Sequence, residues 1–134
     1  MTITTFDNRK VQLSELRGQA VVINLWATWC GPCKAEMPMM SAVHDKLKDS
    51  GLQIFGVTTE GSVPPFQLKK LGALLSYPLA RKLSGGSYPI LDGVPTSYVI
   101  DRAGVVRYAK AGAFDGSEFV GIILPLLKEP APAN

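Results

Sequence analysis

Two cysteines, Cys30 and Cys33, are the side chains in this 134-residue sequence whose type and spacing most clearly suggest chemistry. A structural zinc site needs four ligands, and the single histidine, His44, leaves such a site one ligand short. A disulfide that closes so short a loop stabilises a fold little by chain entropy. We therefore predict that the two thiols form a redox-active disulfide that opens and closes, with no metal and no other cofactor.

Cys30 is predicted to lie where a helix begins, because Pro32 is favoured at the first helical positions, where a missing N–H has no cost. Free N–H groups and the positive end of the helix dipole stabilise a thiolate there, which we expect to lower the pKa of Cys30 from about 8.5. Cys33 follows on the same helix face, where Cβ atoms lie about 5–6 Å apart, close enough for a disulfide. The expected reaction is attack of the Cys30 thiolate on a partner disulfide, followed by displacement of the partner by the less exposed Cys33. Gly31 and Pro32 form the turn between the two sulfur atoms, and activation of Cys33 requires a nearby base.

The residues around this pair predict a β-α-β unit. Residues 20–26 form a β-branched, apolar run that is typical of a central strand buried on both faces. The helix that follows has one apolar face and ends at Gly51, and residues 52–58 form a second buried strand. Such a unit implies parallel strands joined by a right-handed crossover. The apolar face of the helix consists of Met37, Met40, Val43 and Leu47, and His44 is predicted to lie on the helix surface.

The remaining elements are predicted from turn residues and short apolar runs. In chain order they are a hairpin over residues 1–13, a helical turn from Ser14, its cap, to Gly18, a helix from Pro64 to about Leu75, strands at 96–100 and 105–109 joined by a tight turn, and a helix from Ser117, its cap, to about Lys128. Residues 77–93 show no clear pattern apart from a loop at 84–87. We predict one domain over residues 1–134, with the hairpin and turn at 1–19 and a flexible tail at 129–134.

The composition excludes several classes of protein. Hydrophobic residues make up 46% and charged residues 19% of the sequence, which is typical of a globular domain and not of a disordered chain. The net charge of +3 is too mild, and too evenly spread, to predict nucleic-acid binding. No apolar run is long enough to cross a membrane and the sequence does not open on a signal peptide, so we expect either a cytosolic protein or one whose export segment was removed.

Two motifs resemble the thioredoxin superfamily. The first is Trp-Cys-Gly-Pro-Cys at residues 29–33, which follows a buried strand and precedes a helix that contains Pro38, and the second is Gly-Val-Pro-Thr at residues 93–96. Within that superfamily the sequence is most similar to the TlpA/ResA-like branch, over most of its length and weakly between residues 62 and 92. The resemblance implies a thioredoxin-like α/β fold, with a central mixed β-sheet flanked by helices and an N-terminal β-hairpin extension. It also implies thiol–disulfide oxidoreductase activity.

The resemblance further implies how a partner protein docks. In this superfamily the proline at the place of Pro95 follows a cis peptide bond and packs against the two sulfur atoms. Val94 then offers its backbone N–H and C=O to an extended partner peptide, and Thr96 is assigned to the same substrate-binding segment. Trp29 is expected on the surface, where it shapes the groove for the partner.

A base for Cys33 is the last part of the site that the resemblance supplies. Thioredoxin itself carries a buried aspartate on the strand before the motif, and this sequence has Asn24 there, which takes up no proton. Glu36, three residues after Cys33, is the carboxylate that the TlpA/ResA-like branch supplies instead, and we assign it as the base. The alternative is that Glu36 is a solvated acid in the first turn of the helix, where the dipole favours it.

The predicted function is exchange of a dithiol for disulfides in partner proteins, carried out by a monomer that acts as a reductant. The resemblance implies a membrane thiol reductase as electron donor and a location outside the cytoplasm. A cytochrome c maturation reductase is one alternative, although residues 92–96 depart from the pattern of those proteins. A copper-binding, metallochaperone-type module is another, suggested by methionines close to the cysteines. A peroxidase is disfavoured because Ala27 and Ile23 replace the threonine and proline that accompany its reactive cysteine.

Overall fold

The computed structural model describes residues 1–59 and 64–132, and within these residues the chain forms one mixed β-sheet with helices packed against one of its faces. The strands, in chain order, are β1 (Thr2–Thr5), β2 (Lys10–Gln12), β3 (Ala20–Trp26), β4 (Leu52–Thr58), β5 (Leu79–Ser84), β6 (Thr96–Ile100) and β7 (Val106–Ala111). Their order across the sheet is β2-β1-β5-β4-β3-β6-β7. The helices are α1 (Gly31–Leu47), α2 (Pro65–Gly72) and α3 (Gly116–Lys128), and short 3₁₀ turns span Leu13–Leu16 and Lys48–Ser50.

Strand β3 lies between β4 and β6, and all of its residues from Ala20 to Trp26 are buried. It pairs in parallel with β4, where Asn24 lies opposite Gly56, and antiparallel with β6, where Asn24 lies opposite Ser97. The connections β3-α1-β4 and β4-α2-β5 both step in the same direction across the sheet between parallel strands. Right-handed crossovers therefore place α1 and α2 on the same face.

Two apolar cores cover the two faces of the sheet. The core under the helices combines Val22 and Trp26 of β3 with Met40 of α1 and Phe119 of α3. The opposite core contains the alternate β3 residues, such as Ile23, and is covered by residues from the N-terminal segment and from residues 83–91. Because successive side chains of a strand point to opposite faces, an apolar strand in this position fills both cores. The predicted burial of β3 on both faces is thus confirmed.

The predicted elements around the cysteines are confirmed, and some strands and helices farther along the chain begin or end at other residues than predicted. The hairpin, β3, β4, α1 and β6 form at the predicted places, and the left-handed backbone of Gly51, with φ of 105°, ends the 3₁₀ turn that follows α1. Strand β7 begins at Val106 and extends to Ala111, and α2 ends at Gly72 instead of near Leu75. The predicted N-terminal hairpin joins the central sheet, because β1 pairs antiparallel with β5.

Strand β5 lies in the stretch for which the sequence showed no clear pattern. Only its first two residues are buried, and Arg81 and Lys82 in its middle are exposed, so it has neither an apolar run nor a clean alternation. Its backbone nevertheless pairs in parallel with β4 and antiparallel with β1. Long-range pairing, which no local pattern encodes, therefore makes this segment a strand.

Two predicted helix caps are wrong. The turn at Leu13–Leu16 begins after Gln12, whose backbone N–H donates to the Glu15 carboxylate over 3.2 Å, and Ser14 lies inside the turn. Helix α3 is capped by Asp115, whose carboxylate accepts a backbone N–H of the first turn over 2.7 Å, and Ser117 lies inside the helix. In both places an acidic side chain, which forms a stronger charge-assisted bond, satisfies an N–H at the helix start in place of the predicted serine.

His44 lies in the interior and not on the helix surface, which corrects the prediction. The residue is 5% exposed, its Nδ1 lies 2.7 Å from Ser76 Oγ, and its ring meets the Tyr77 ring edge-on at 6.2 Å between centroids. The segment that returns from α2 to β5 covers this side of α1. Burial of the imidazole lowers its pKa, and the nearby Lys48 lowers it further.

No helix within residues 1–59 and 64–132 is both long and apolar enough to cross a membrane. Of the predicted tail at 129–134, residues 133 and 134 lie outside the described residues. All of the described strands lie in one sheet, and the single domain over residues 1–134 stays a prediction.

Candidate active site

The two cysteines form a disulfide at the N-terminus of α1, with their Cα atoms 5.3 Å apart. Cys30 caps the helix, and its Sγ accepts the backbone N–H of Cys33 over 3.2 Å. Gly31 and Pro32 occupy the first two helical positions, where the missing N–H of Pro32 has no cost. Cys33 is fully buried and Cys30 is 3% exposed. After reduction, the same N–H and the helix dipole would favour a thiolate on Cys30 over one on Cys33.

The loop before β6 lies directly beside the disulfide. The Val94–Pro95 peptide bond is cis, as the resemblance implied, and the Val94 carbonyl oxygen lies 3.6 Å from Cys30 Sγ. Gly93 precedes this bond with φ of 124°, a conformation that favours glycine. The Pro95 carbonyl accepts the N–H of Gly112 over 2.8 Å, which ties the loop to the end of β7.

Thr96 holds the same loop from inside. Thr96 is fully buried. Its hydroxyl donates to the Gly93 carbonyl over 2.7 Å and accepts the Leu91 N–H over 2.9 Å. The Thr96 side chain therefore contacts the loop and not the solvent. Its assigned role in substrate binding stays a prediction, and these contacts favour positioning of the loop over direct contact with a partner.

Glu36, three residues after Cys33 on α1, is buried with 3% of its surface exposed, so the alternative of a solvated acid is wrong. Its Oε1 accepts from Asn24 Nδ2 over 2.8 Å, and its Oε2 accepts the backbone N–H of Phe114 over 3.0 Å. Burial raises the pKa of the Glu36 carboxyl, and the two hydrogen bonds together with Lys110 oppose that rise without cancelling it. A carboxyl whose pKa is raised in this way binds a proton more readily, which suits it to exchange a proton with a thiol.

Several neighbours of Glu36 come from parts of the chain that the sequence did not connect with it. Lys110 lies 5.0 Å from the centre of the Phe114 ring and forms an ion pair with Glu118 at 2.6 Å. The Tyr77 hydroxyl is buried without a hydrogen-bond partner among the described residues, and burial together with Glu36 raises the pKa of this phenol. No sequence signal marked the Phe114 N–H, because any backbone amide can fill this place.

The surface around the disulfide is partly apolar. Trp29 is 73% exposed, as predicted, whereas Trp26 lies in the core and is 1% exposed. Gly31, Pro32 and Lys34 are also exposed. Within residues 1–59 and 64–132, no group of three or more His, Cys, Asp or Glu side chains is arranged to hold a metal ion.

Comparisons with known proteins agree with this geometry. Residues 1–109 match the AhpC/TSA family. The chain is 34% identical to the thiol-disulfide oxidoreductase ResA of Oceanobacillus iheyensis over 109 residues, which cover 80% of this chain and 57% of that protein. The chain thus spans little more than half the length of this relative, and the resemblance to ResA-type proteins is confirmed over that part.

Solved structures confirm the thioredoxin-like fold. A thiol:disulfide interchange protein of the thioredoxin family from Chlorobium tepidum superposes with a TM-score of 0.77 at 26% identity, covering 95% of this chain and 92% of that one. A secreted thiol-disulfide isomerase from Corynebacterium glutamicum shares the fold with a TM-score of 0.83 at 20% identity, over 96% of this chain and 84% of that one. Since the family match extends over residues 1–109 of 134, the chain belongs to the AhpC/TSA family.

Proposed function

We propose that this chain is a thiol–disulfide oxidoreductase that exchanges the Cys30–Cys33 dithiol for a disulfide in a partner protein. One observation carries the proposal: a Cys-X-X-Cys disulfide lies at the start of a helix beside the Val94 carbonyl, and the same helix carries the buried Glu36 three residues after Cys33. The names of the relatives support the same chemistry. Peroxide reduction is not proposed, because Ala27 and Ile23 occupy the positions where a peroxidatic cysteine needs threonine and proline.

The first step is attack by Cys30. In the reduced protein its thiolate forms a bond to one sulfur of the partner disulfide, and the other partner sulfur leaves as a thiolate. The Cys33 N–H, which lies 3.2 Å from Cys30 Sγ, and the N-terminus of α1 support the Cys30 thiolate as the attacking species. Cys30 is 3% exposed as a residue and Cys33 is fully buried, which supports the same order of attack.

The second step is release of the partner by Cys33. Glu36 takes the proton of the Cys33 thiol, and the resulting thiolate attacks Cys30 Sγ. The mixed disulfide breaks, the partner leaves with two electrons, and the Cys30–Cys33 disulfide forms again. Cys33 and Glu36 are both buried and lie three residues apart on α1, which supports this assignment because a base must be within reach of the proton that it takes.

Docking of the partner is assigned to the loop before β6. Val94 borders Cys30 and is followed by the cis peptide bond, so its backbone is placed to pair with an extended segment that carries the partner disulfide. Trp29, which immediately precedes Cys30 and is 73% exposed, supplies further apolar contact area.

The test is to trap the intermediate. Cys33→Ser should accumulate mixed disulfides with a disulfide-containing substrate such as insulin, and the matched Cys30→Ser variant should accumulate none. Equal trapping by both variants, or by neither, would contradict the proposal. One-to-one Cu(I) binding by the reduced protein together with absent insulin reduction would indicate the copper module instead.

We propose that the protein acts as a reductant, since Gly-Pro between the cysteines favours a reducing pair. A redox titration against dithiothreitol or glutathione, followed by tryptophan fluorescence, measures the potential. A potential above about −150 mV would contradict the reductant role and leave the exchange chemistry intact. A membrane thiol reductase as donor, protein thiols as substrates, a monomeric state and an extracytoplasmic location are proposals that rest on the family resemblance. Fractionation of cells that produce the full-length protein tests the location.

A further inference from the structure

Asn24 contacts Glu36 through a carboxamide whose nitrogen donates two hydrogen bonds and whose oxygen accepts none from the described residues. The residue is fully buried in the middle of β3, between Gly56 on β4 and Ser97 on β6. Its Nδ2 donates both hydrogens, one to Glu36 Oε1 over 2.8 Å and one to Ser97 Oγ over 2.9 Å. Its Oδ1 is buried and has no hydrogen-bond partner among the described residues.

The two hydrogen bonds of Glu36 are ones in which its carboxyl group accepts. Both carboxylate oxygens face donors, Asn24 Nδ2 on one side and the Phe114 N–H on the other. A protonated carboxyl carries an O–H, which needs an acceptor, and neither of these groups is one. If Glu36 receives the Cys33 proton, these two contacts offer its O–H no acceptor, and Asn24 can accept it only after a rearrangement.

The unanchored carbonyl of Asn24 makes such a rearrangement possible. No hydrogen bond within residues 1–59 and 64–132 holds Oδ1 in its present place, and the carboxamide is hydrogen-bonded through Nδ2, to Glu36 and Ser97. A serine hydroxyl both donates and accepts, and it rotates to suit its partner. The backbone N–H of Phe114 needs no change, since Oε2 accepts it in either protonation state.

We propose that Asn24 is a positioning residue that follows the protonation of Glu36: it donates through Nδ2 to the carboxylate, and it turns by half a rotation to accept through Oδ1 from the carboxylic acid. In the turned state Oδ1 accepts the Glu36 O–H and the Ser97 O–H. The proton lost by Cys33 stays on Glu36 Oε1, and no covalent bond other than S–H and O–H changes. The inference deepens the proposed function and depends on it for the source of the proton.

The other charged and titratable groups near Glu36 differ in whether they can accept its O–H. Cys33 on α1 is the proton donor in the proposed reaction, and Lys110 on β7 is a cation paired with Glu118 on α3. The phenol of Tyr77, which precedes β5, is a competing acceptor, although it makes no hydrogen bond to Glu36 in this structure. A Tyr77→Phe variant therefore serves as the control that separates the two acceptors.

The test is a side-chain NMR titration of the oxidised wild-type protein, in which the cysteines do not titrate. The Asn24 NH₂ protons should show a nuclear Overhauser effect to the Ser97 Hβ protons at high pH. This signal should weaken several-fold at low pH, with the same midpoint as the Glu36 carboxyl carbon. Tyr77→Phe should leave that behaviour unchanged. A signal that persists through the Glu36 titration, or a switch that Tyr77→Phe abolishes, would overturn the inference.

Glu36→Gln provides a second, pH-independent test. In this variant the glutamine Oε1 accepts the Phe114 N–H, so the glutamine NH₂ group faces Asn24 and needs Oδ1 as its acceptor. The variant should therefore show the low-pH pattern at every pH, and retention of the high-pH pattern would contradict the inference. The proposed function fails separately: if Glu36→Gln leaves the pH–rate profile of insulin reduction unchanged while the NMR switch is present, Glu36 is not the base but Asn24 still follows its protonation.

Discussion

Replacement of Glu36 by glutamine should stabilise the oxidised protein at high pH, opposite to the usual loss when a native carboxylate is removed. In the folded protein burial raises the pKa of Glu36 above its ordinary value of 4.5, so the folded state binds a proton more tightly than the unfolded chain. Stability of the wild type therefore falls as pH rises from 4.5 to the folded-state pKa, and it is constant with respect to this group above that point. Glutamine does not titrate, so the stability of the Glu36→Gln protein should show no such decrease.

The expected magnitude follows from linkage and from the two hydrogen bonds of the carboxylate. Each unit by which the folded-state pKa exceeds the unfolded value adds about 1.4 kcal/mol to the high-pH advantage of Glu36→Gln. At low pH the protonated acid and the amide are alike, and the two proteins should have similar stability. Glu36→Ala also removes the titration, but it leaves the Phe114 N–H without its acceptor, which costs about 1–3 kcal/mol.

Urea unfolding of the oxidised proteins over a pH series measures these differences. The free energy of unfolding of Glu36→Gln minus that of the wild type should rise with pH, starting near pH 4.5. The Glu36→Ala curve should run parallel to the Glu36→Gln curve and below it. A difference between Glu36→Gln and wild type that is flat, or that falls with pH, would refute the reasoning that burial dominates the electrostatics of this carboxyl.

Three further predictions test the packing around the site and the corrected elements. Gly56→Ala should destabilise the protein by about 1–3 kcal/mol in urea unfolding, because the new Cβ would lie 2.9 Å from a β5 side chain. Gly121→Ala, on the open face of α3, should stabilise the protein by about 0.5–1 kcal/mol. Destabilisation by both variants would contradict the difference in packing at the two glycines. Asp115→Ala should cost about 1 kcal/mol as a lost helix cap, and Ser117→Ala should change the unfolding free energy by less than about 0.5 kcal/mol; the reverse order would restore the serine cap. The wild type should lose stability as pH falls below 6.5, because the unfolded chain protonates its histidine at a higher pH than the folded protein protonates the buried His44. His44→Asn should remove this loss. Identical pH dependence of the two proteins would place the histidine in solvent.

The parts of the site that are close in sequence were predicted correctly. The disulfide, the helix that Cys30 caps and the buried strand before it all lie within residues 20–47, where spacing and periodicity report directly on structure. Burial of Glu36 was left open, because an acid in the first turn of a helix is compatible with either solvent or core. Strand β5 and the environment of His44 were missed for the same reason: each depends on a segment that arrives from elsewhere in the chain.

The sequence by itself determined that two thiols three residues apart sit at the start of a helix, and hence that they can form and break a disulfide. Only the tertiary structure decided which groups surround them. Glu36 meets Asn24 across 12 residues and Phe114 across 78, and Asn24 meets Ser97 across 73. Local propensity acts over a few residues, whereas burial and hydrogen-bond partners depend on which strands become neighbours. The chemistry of the cysteines is therefore a local property, and the protonation of the carboxyl behind them is a property of the whole fold.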